Sequence, residues 1–390
     1  MLVLGIETSC DETSFAILEG NNDNYKPFVE YLNSFKVQSS VVSSQIEDHK
    51  KYGGIVPEIG ARLHAQQIHY LFYLLLQNFE TENSKNIDIS SNEKVENNFK
   101  IDRYFHIIKD LEKIYVTTNP GLSSALRIGF EFAKTLKYFI KSKFSKDIDI
   151  IEVNHLQGHI FSCFYEQNSN LVYLTNVFPH LHLIVSGGNS QLVLLKNANT
   201  MEIIGQTLDD AAGECLDKIG RMLGFSYPGG LNLAKSVGDA EGNFMKFPVS
   251  MIKNQTFNYS FSGLKTSVRL FLQSKSPKEF EFEKVLLLTE IDSLKNDQNL
   301  NTKLNFIKKV SISVQDVVVT QLINKMTKAK NYYNPATIGI SGGVSANLLL
   351  RKKVIQKINP EIFIPPLHLT GDNAVMIAIA GLAKEYQNIK

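Results

Sequence analysis

The sequence predicts an α/β fold in two lobes built on a duplicated plan. Residues 2–6 form an apolar run suited to a buried strand, residues 7–13 a polar turn, and residues 14–18 a return strand. Residues 182–185, 186–190 and 191–195 repeat that order of strand, polar turn and strand, which points to duplication. Two strand, glycine turn, helix units supply the α/β character. Residues 113–117 lead through Asn119-Pro120-Gly121-Leu122 into a helix reaching about Lys143, and residues 337–340 lead through Ser341-Gly342-Gly343 into a helix start at 344–348.

The remaining elements follow in order. Residues 37–47 are polar. A loop at 49–58 opens a helix near Pro57 that should run to about Phe79, with Ile59, Leu63, Ile68 and Leu71 among its apolar positions. Residues 80–103 are crowded with Asn, Ser, Glu and Lys, too polar to offset their ordering entropy, and read as a mobile surface insertion. The lobe boundary is expected at 145/146, with residues 1–145 as the first lobe and 146–390 as the second. Asp209 and Asp210 are placed to cap a helix reaching about Leu223. Residues 274–303 read as helical with solvated loops, a long helix follows over about 305–328, and a final helix covers about 372–387.

At 390 residues and 43% hydrophobic content the chain can fill two or three cores. No apolar run approaches the roughly 18 residues of a membrane span, and the opening segment is too short for a signal sequence. Cys10, Cys163 and Cys215 are too few and too scattered for a disulfide framework. A cytoplasmic protein is expected. The net charge of +2 neither requires nor excludes a polyanionic partner, and the lysine stripe at 134–146 reads as a solvated helix face rather than a nucleic-acid contact.

Chemistry concentrates in a few places. His155 and His159, four apart, share one helix face with Cβ atoms roughly 5–6 Å apart. They fit one metal ion, or a helix surface, or a satisfied core pair. A metal would need a third ligand, and Asp372 is the best candidate. Asp11 and Glu12 could orient water, a metal or a phosphate, or simply be solvated. Gly187 and Gly188 let backbone approach a ligand, with a plain hairpin as the alternative. Asp217 lies near the turn at 227–230, and Asn347 offers a donor and an acceptor beside Gly342 and Gly343. The latter turn is not a P-loop, since it lacks the spacing and the following Lys-Ser/Thr.

Together these stretches closely resemble the TsaD family of tRNA adenosine threonylcarbamoyltransferases, of the sugar kinase, chaperone and actin (ASKHA) superfold. The resemblance is collinear over nearly the whole chain. It is carried by GIETSCDETS at 5–14, HKKYGGIVPE at 49–58, NPGL at 119–122, VNHLQGH at 153–159 and VSGGNSQ at 185–191. TLDDAAGECLDKIGRMLGFSYPGG at 207–230, SFSGLKT at 260–266, SGGVSAN at 341–347 and TGDNAVMIA at 370–378 complete it. The resemblance implies that His155, His159 and Asp372 hold one divalent metal, iron or zinc, with iron favoured. It implies that Val185, Ser186, Gly187, Gly188 and Asn189, with Asp217, Gly230 and Asn347, bind threonylcarbamoyl-adenylate. It implies transfer of the threonylcarbamoyl group to the adenosine just after the tRNA anticodon with release of AMP, Asp11 or Glu12 handling protons or water. Partners implied are tRNA and homologues of TsaB and TsaE, with no membrane.

Some positions depart from the family pattern. Gln157 stands where bacterial members usually have Glu, Asn189-Ser190 replaces His-Thr, Ala234 replaces an acidic ribose contact, and residues 80–103 have no evident counterpart. A metallopeptidase is the first rival, but His-Leu-Gln-Gly-His lacks the glutamate that activates water in His-Glu-x-x-His. A kinase or chaperone-like module on the same superfold is the second. A kinase would not need the two histidines, and a chaperone would be expected to carry a substrate-binding domain for which no residues remain.

Overall fold

The structure is a computed structural model, and it describes residues 1–23, 25–81, 86–90, 100–167, 169–274, 298–359 and 361–389. The chain divides into two compact units, one formed by Met1–Val177 with Pro365–Lys390 and the other by Phe178–Ile364. The boundary expected at 145/146 is therefore displaced, and the second unit is an insertion within the first. The physical reason is pairing. The strand Asp149–Asn154 extends the first sheet, and the last helix, Ala374–Ile389, returns to pack on it.

The first unit is a six-stranded sheet ordered β4-β3-β2-β1-β5-β6. Its strands are β1 (Leu2–Glu7), β2 (Glu12–Glu19), β3 (Lys36–Ser44), β4 (Asn86–Ser90), β5 (Leu111–Asn119) and β6 (Asp149–Asn154). The expected hairpin is present, with β1 and β2 antiparallel from Leu2↔Glu19 to Glu7↔Ser14. Strand β5 runs parallel to β1, and β6 parallel to β5. Alternation sets the faces. Leu2, Leu4 and Ile6 share a core with α1 (Pro57–Glu80), through Ile68, Leu71, Phe72 and Leu75, and with α2 (Ser123–Phe144), through Ala133, Leu136 and Ile140. Between them on β1, Gly5 faces the other way. A Cβ there would lie 2.3 Å from the Ala374 carbonyl oxygen, so the absence of a side chain lets the last helix lie directly on the sheet.

Two expectations in this unit are corrected. The polar stretch at 37–47 contains β3, whose Ser39, Ser40 and Val41 are buried and which pairs antiparallel with β2. Residues 80–103 are not wholly an insertion. Asn86–Ser90 pairs parallel with β3 as an edge strand, and a helical turn at Ile101–Tyr104 seats Tyr104 in the core. Residues 82–85 and 91–99 lie outside the described residues.

The second unit repeats the plan with a four-stranded sheet ordered β10-β7-β8-β9. Strands β7 (His180–Val185), β8 (Ser190–Leu195) and β9 (Met201–Gln206) form an antiparallel meander, and β10 (Thr337–Ser341) runs parallel to β7. In the first unit β1, β2 and β3 form the corresponding meander, with β5 parallel to β1. This correspondence bears out the duplicated architecture. Helices α4 (Ala212–Met222), α5 (Gly229–Val237), α6 (Ser262–Ser274), α7 (Gln298–Tyr333) and α8 (Leu348–Lys357) complete the unit, with Leu216, Ile219, Leu264, Val314, Val318 and Leu350 in its core. The region expected at 274–303 lies largely outside the described residues, and α7 is longer at both ends than the pattern indicated. Among the described residues no helix is long and apolar enough to cross a membrane.

Candidate metal and donor sites

The histidine pair sits on α3 (His155–Ser162), which β6 feeds directly. Asn154 caps it, its Oδ1 accepting from the Leu156 and Gln157 amides at 2.9 and 3.3 Å, so the first helical residue, His155, has a defined direction. The imidazoles of His155 and His159 lie edge to face with centroids 4.7 Å apart. Asp372 arrives just before the last helix. Asn373 caps that helix through the Met376 amide at 2.9 Å, and the Ala374 amide donates to Ser14 Oγ at 2.9 Å. Asp372 Oδ1 consequently lies 3.1 Å from His159 Nε2 and 3.6 Å from His155 Nε2. All three residues belong to the first unit, not to a second lobe beginning at residue 146.

These side chains fit a divalent ion. Their ligand atoms lie within 4.8 Å of one another, and two imidazole nitrogens with one carboxylate leave positions open for a substrate. Among the described residues, no lysine or arginine forms an ion pair with Glu7, Asp11, Glu12 or Asp372. The imidazoles meet the carboxylates instead. Burial alone would push the His155 imidazole down, but Asp372 and Glu7 outweigh it and hold it well above its ordinary range. Asp372 shows the reciprocal effect: burial would raise its carboxyl, and the two histidines hold it low.

The acidic turn that joins β1 to β2 is tightly fastened. The Leu122 amide donates to Ser9 O at 2.8 Å and the Gln45 amide to Asp11 O at 2.9 Å. His64 on α1 donates from Nε2 to Cys10 O at 3.0 Å, which leaves Nδ1 to accept from Thr13 Oγ1 at 2.7 Å. Asp11 is buried and Glu12 half-buried. Burial, then the neighbouring Asp11, pushes the Glu12 carboxyl well above the usual carboxylate range.

The expected donor residues cluster in the second unit, at the carboxyl ends of the parallel pair β7 and β10, where open α/β sheets bind ligands. In the first turn the Ser186 amide donates to Asn189 O at 2.8 Å, and Ser186 Oγ accepts from the Asn189 amide at 3.1 Å. The start of α4 abuts this turn. The amides of Gly213 and Glu214 donate to Ser186 O and Gly187 O at 3.2 and 3.1 Å. Gly187 and Gly188 are exposed, with open space where a Cβ would project. The second turn lies alongside: Ser341 is registered with Ile184, and Gly342, at φ +89°, would place a Cβ 2.5 Å from Val185 O. Gly343 has open space instead.

Asp217 and Gly230 come together directly, the Gly230 amide donating to Asp217 Oδ1 at 2.6 Å. Burial raises the Asp217 carboxyl, and that amide partly offsets it. Asn347 is already engaged. Its Oδ1 caps α8 through the Leu350 amide at 3.0 Å, and its Nδ2 donates to Gln315 Oε1 at 2.8 Å. Gln315 in turn donates to Gly238 O at 3.0 Å, tying α7 to the end of α5. Asp209 and Asp210 do not begin α4. Asp209 accepts from the Phe261 and Ser262 amides at 2.7 and 3.2 Å, capping α6 from outside, and Asp210 pairs with Lys218 and Lys265, each at 2.8 Å.

Sequence reasoning missed Glu7 and Gln315. Nothing in the local pattern distinguishes Gln315 from a surface helix residue. Glu7 had one signal, a carboxylate closing an otherwise apolar strand.

The chain matches the family model TsaD, described as tRNA N6-adenosine threonylcarbamoyltransferase, over residues 36–89 and 106–379. Proteins of that same description from Listeria welshimeri and Thermosipho africanus are each 37% identical to it. The alignments cover 97% of this chain and 90% of the Listeria protein, and 98% and 93% for Thermosipho. Among solved structures, component A of the (R)-2-hydroxyglutaryl-CoA dehydratase of Acidaminococcus fermentans is 12% identical with a TM-score of 0.45, covering 100% of this chain and 98% of that one. The family match reaches into the stretch expected to lack a counterpart, resuming at residue 106 after a gap over 90–105. With the family model spanning most of the chain and relatives aligned over nearly all of it, this chain belongs to the TsaD family of tRNA N6-adenosine threonylcarbamoyltransferases.

Proposed function

We propose that this transferase moves the threonylcarbamoyl group from threonylcarbamoyl-adenylate to the exocyclic amine of the adenosine 3′ of the tRNA anticodon, releasing AMP. The observation that carries the reading is the convergence of His155, His159 and Asp372 on one point in a chain of this family. In the reaction the amine nitrogen forms a bond to the carbamoyl carbon, the bond from that carbon to the phosphate oxygen breaks, and the amine loses a proton. A divalent ion at the His155, His159 and Asp372 site would supply a Lewis acid for the carbamoyl oxygen.

The rest falls to the chain itself. Glu12, held above the ordinary carboxylate range by burial and then by the neighbouring Asp11, suits a role as acceptor of the amine's proton. The exposed backbone of Gly187 and Gly188 and the open face of Gly343 suit the phosphate and nucleoside of the donor. Asp217 suits a ribose hydroxyl, while Asn347 contributes by fixing the turn before it. Homologues of TsaB and TsaE are the proposed partners, and iron is the favoured metal over zinc.

Incubating the purified chain with unmodified tRNA and threonylcarbamoyl-adenylate, with and without those homologues, and weighing the digested nucleosides tests this. A threonylcarbamoyl mass increment on adenosine is expected. Its absence under every partner combination, with metal loaded, would overturn the reading.

A further inference from the structure

We infer that Glu7 is the positioning carboxylate of the metal site, selecting which nitrogen of His155 is offered to the ion. The inference rests on the reading of His155, His159 and Asp372 as ligands and adds a residue to it. Glu7 closes β1, is completely buried, and is fully engaged. Its Oε1 accepts the Ser9 amide, and its Oε2 accepts Thr117 Oγ1 at 2.6 Å and lies 3.1 Å from His155 Nδ1. A buried carboxylate is expensive unless so paired. A carboxylate oxygen can only accept, so the nitrogen facing it carries hydrogen. With Nδ1 so committed, the unshared pair of the neutral ring lies on Nε2, the atom that approaches Asp372 at 3.6 Å. Ser9 Oγ, also 3.1 Å from Nδ1, is compatible with either ring tautomer and cannot make this choice alone.

The geometry makes Glu7→Gln informative, because the amide cannot orient freely. The Ser9 N–H donates to whatever stands at the Oε1 position, so the amide oxygen is held there and the NH2 falls at the Oε2 position. There it points hydrogen at Nδ1. Nδ1 must then accept, the ring proton moves to Nε2, and the unshared pair turns away from the ion. Loss of an orienting partner of a metal-bound histidine typically weakens metal affinity on the order of 10–100-fold.

Zinc(II) alone serves as the probe, titrated into the whole chain against a chromogenic chelator. Glu7→Gln is expected to weaken zinc binding by that factor, and Ser9→Ala to leave it unchanged. Nitrogen-15 spectra of the zinc-loaded wild-type chain provide a reading independent of the variant's folding, with His155 expected to carry hydrogen on Nδ1 and zinc on Nε2. Wild-type affinity in folded Glu7→Gln, or zinc on Nδ1 of His155, would overturn the role of Glu7 while leaving the metal site intact. Failure of the wild-type chain to bind zinc or iron(II) would remove the site and this inference with it.

Discussion

Gly342 and Gly343 are neighbours in one turn, yet they should fail in opposite ways. Gly342 has φ +89° and ψ 164°, a region open essentially to glycine alone, and a Cβ on it would meet Val185 O at 2.5 Å. For Gly342→Ala the backbone term is about 1–3 kcal/mol and the overlap adds about 1–3 more, because Val185 belongs to a buried strand and cannot retreat. A unit of this size loses about 2–4 °C of melting temperature per kcal/mol. The fall should therefore be on the order of 5–20 °C, visible by calorimetry without any ligand. Gly343 has nothing within 4 Å of a Cβ, so Gly343→Val should melt like the wild type while losing affinity for AMP or a non-hydrolysable donor analogue. Equal melting temperatures for Gly342→Ala and wild type would refute the steric argument. Undiminished ligand affinity in Gly343→Val would refute the assignment of the turn to the donor.

Asp372→Asn and His159→Ala should each lose bound metal by elemental analysis together with threonylcarbamoyl transfer, while Gln157→Glu, at a position outside the ligand set, keeps both. Full occupancy in both ligand variants would remove these residues from the metal. Asp209→Ala should cost about 0.5–2 kcal/mol in denaturant unfolding, since it removes the external cap of α6. Burial would raise the Asp209 carboxyl, but bonds from Ser260, Phe261 and Ser262 outweigh it and hold it low. Its stabilisation is accordingly complete above about pH 4 and lost as the pH falls below that, so variant and wild type should converge in acid. Divergence there would mean another role. Deleting residues 80–103 should lower the melting temperature, because it removes β4 and most of the turn that seats Tyr104; an unchanged value would show these contacts to be dispensable.

What the sequence disclosed about this molecule depended on the range of the interaction. The hairpins at β1 and β2 and at β7 and β8 were legible because strict apolar runs flank polar turns. Strand β3 was not, since its Ser-Ser-Val-Val-Ser-Ser core buries serines that bond outward, Ser39 Oγ to Leu75 O and Ser43 Oγ to Gln67 Oε1. Hydroxyls that find partners are as buried as valine, but composition counts them as polar. The proposed metal triad was legible as a helical pair plus a distant carboxylate, and the structure brings its three residues together. Glu7 was hidden, because its role depends on Thr117 and His155, each more than a hundred residues away. The division into units was hidden for the same reason, as no local pattern reports that the last helix returns to β1.

That return has a consequence for how the protein is made. The second unit is a continuous stretch that can fold as it leaves the ribosome, whereas the first must wait with one face of its sheet uncovered until residues beyond 365 have emerged. Asp372 arrives with that final segment. A chain cut short anywhere in the second unit would possess both histidines and still lack Asp372, the proposed third ligand. On the proposed ligand set, metal loading would report that translation has passed Asp372, and a product truncated before it would lack a complete site.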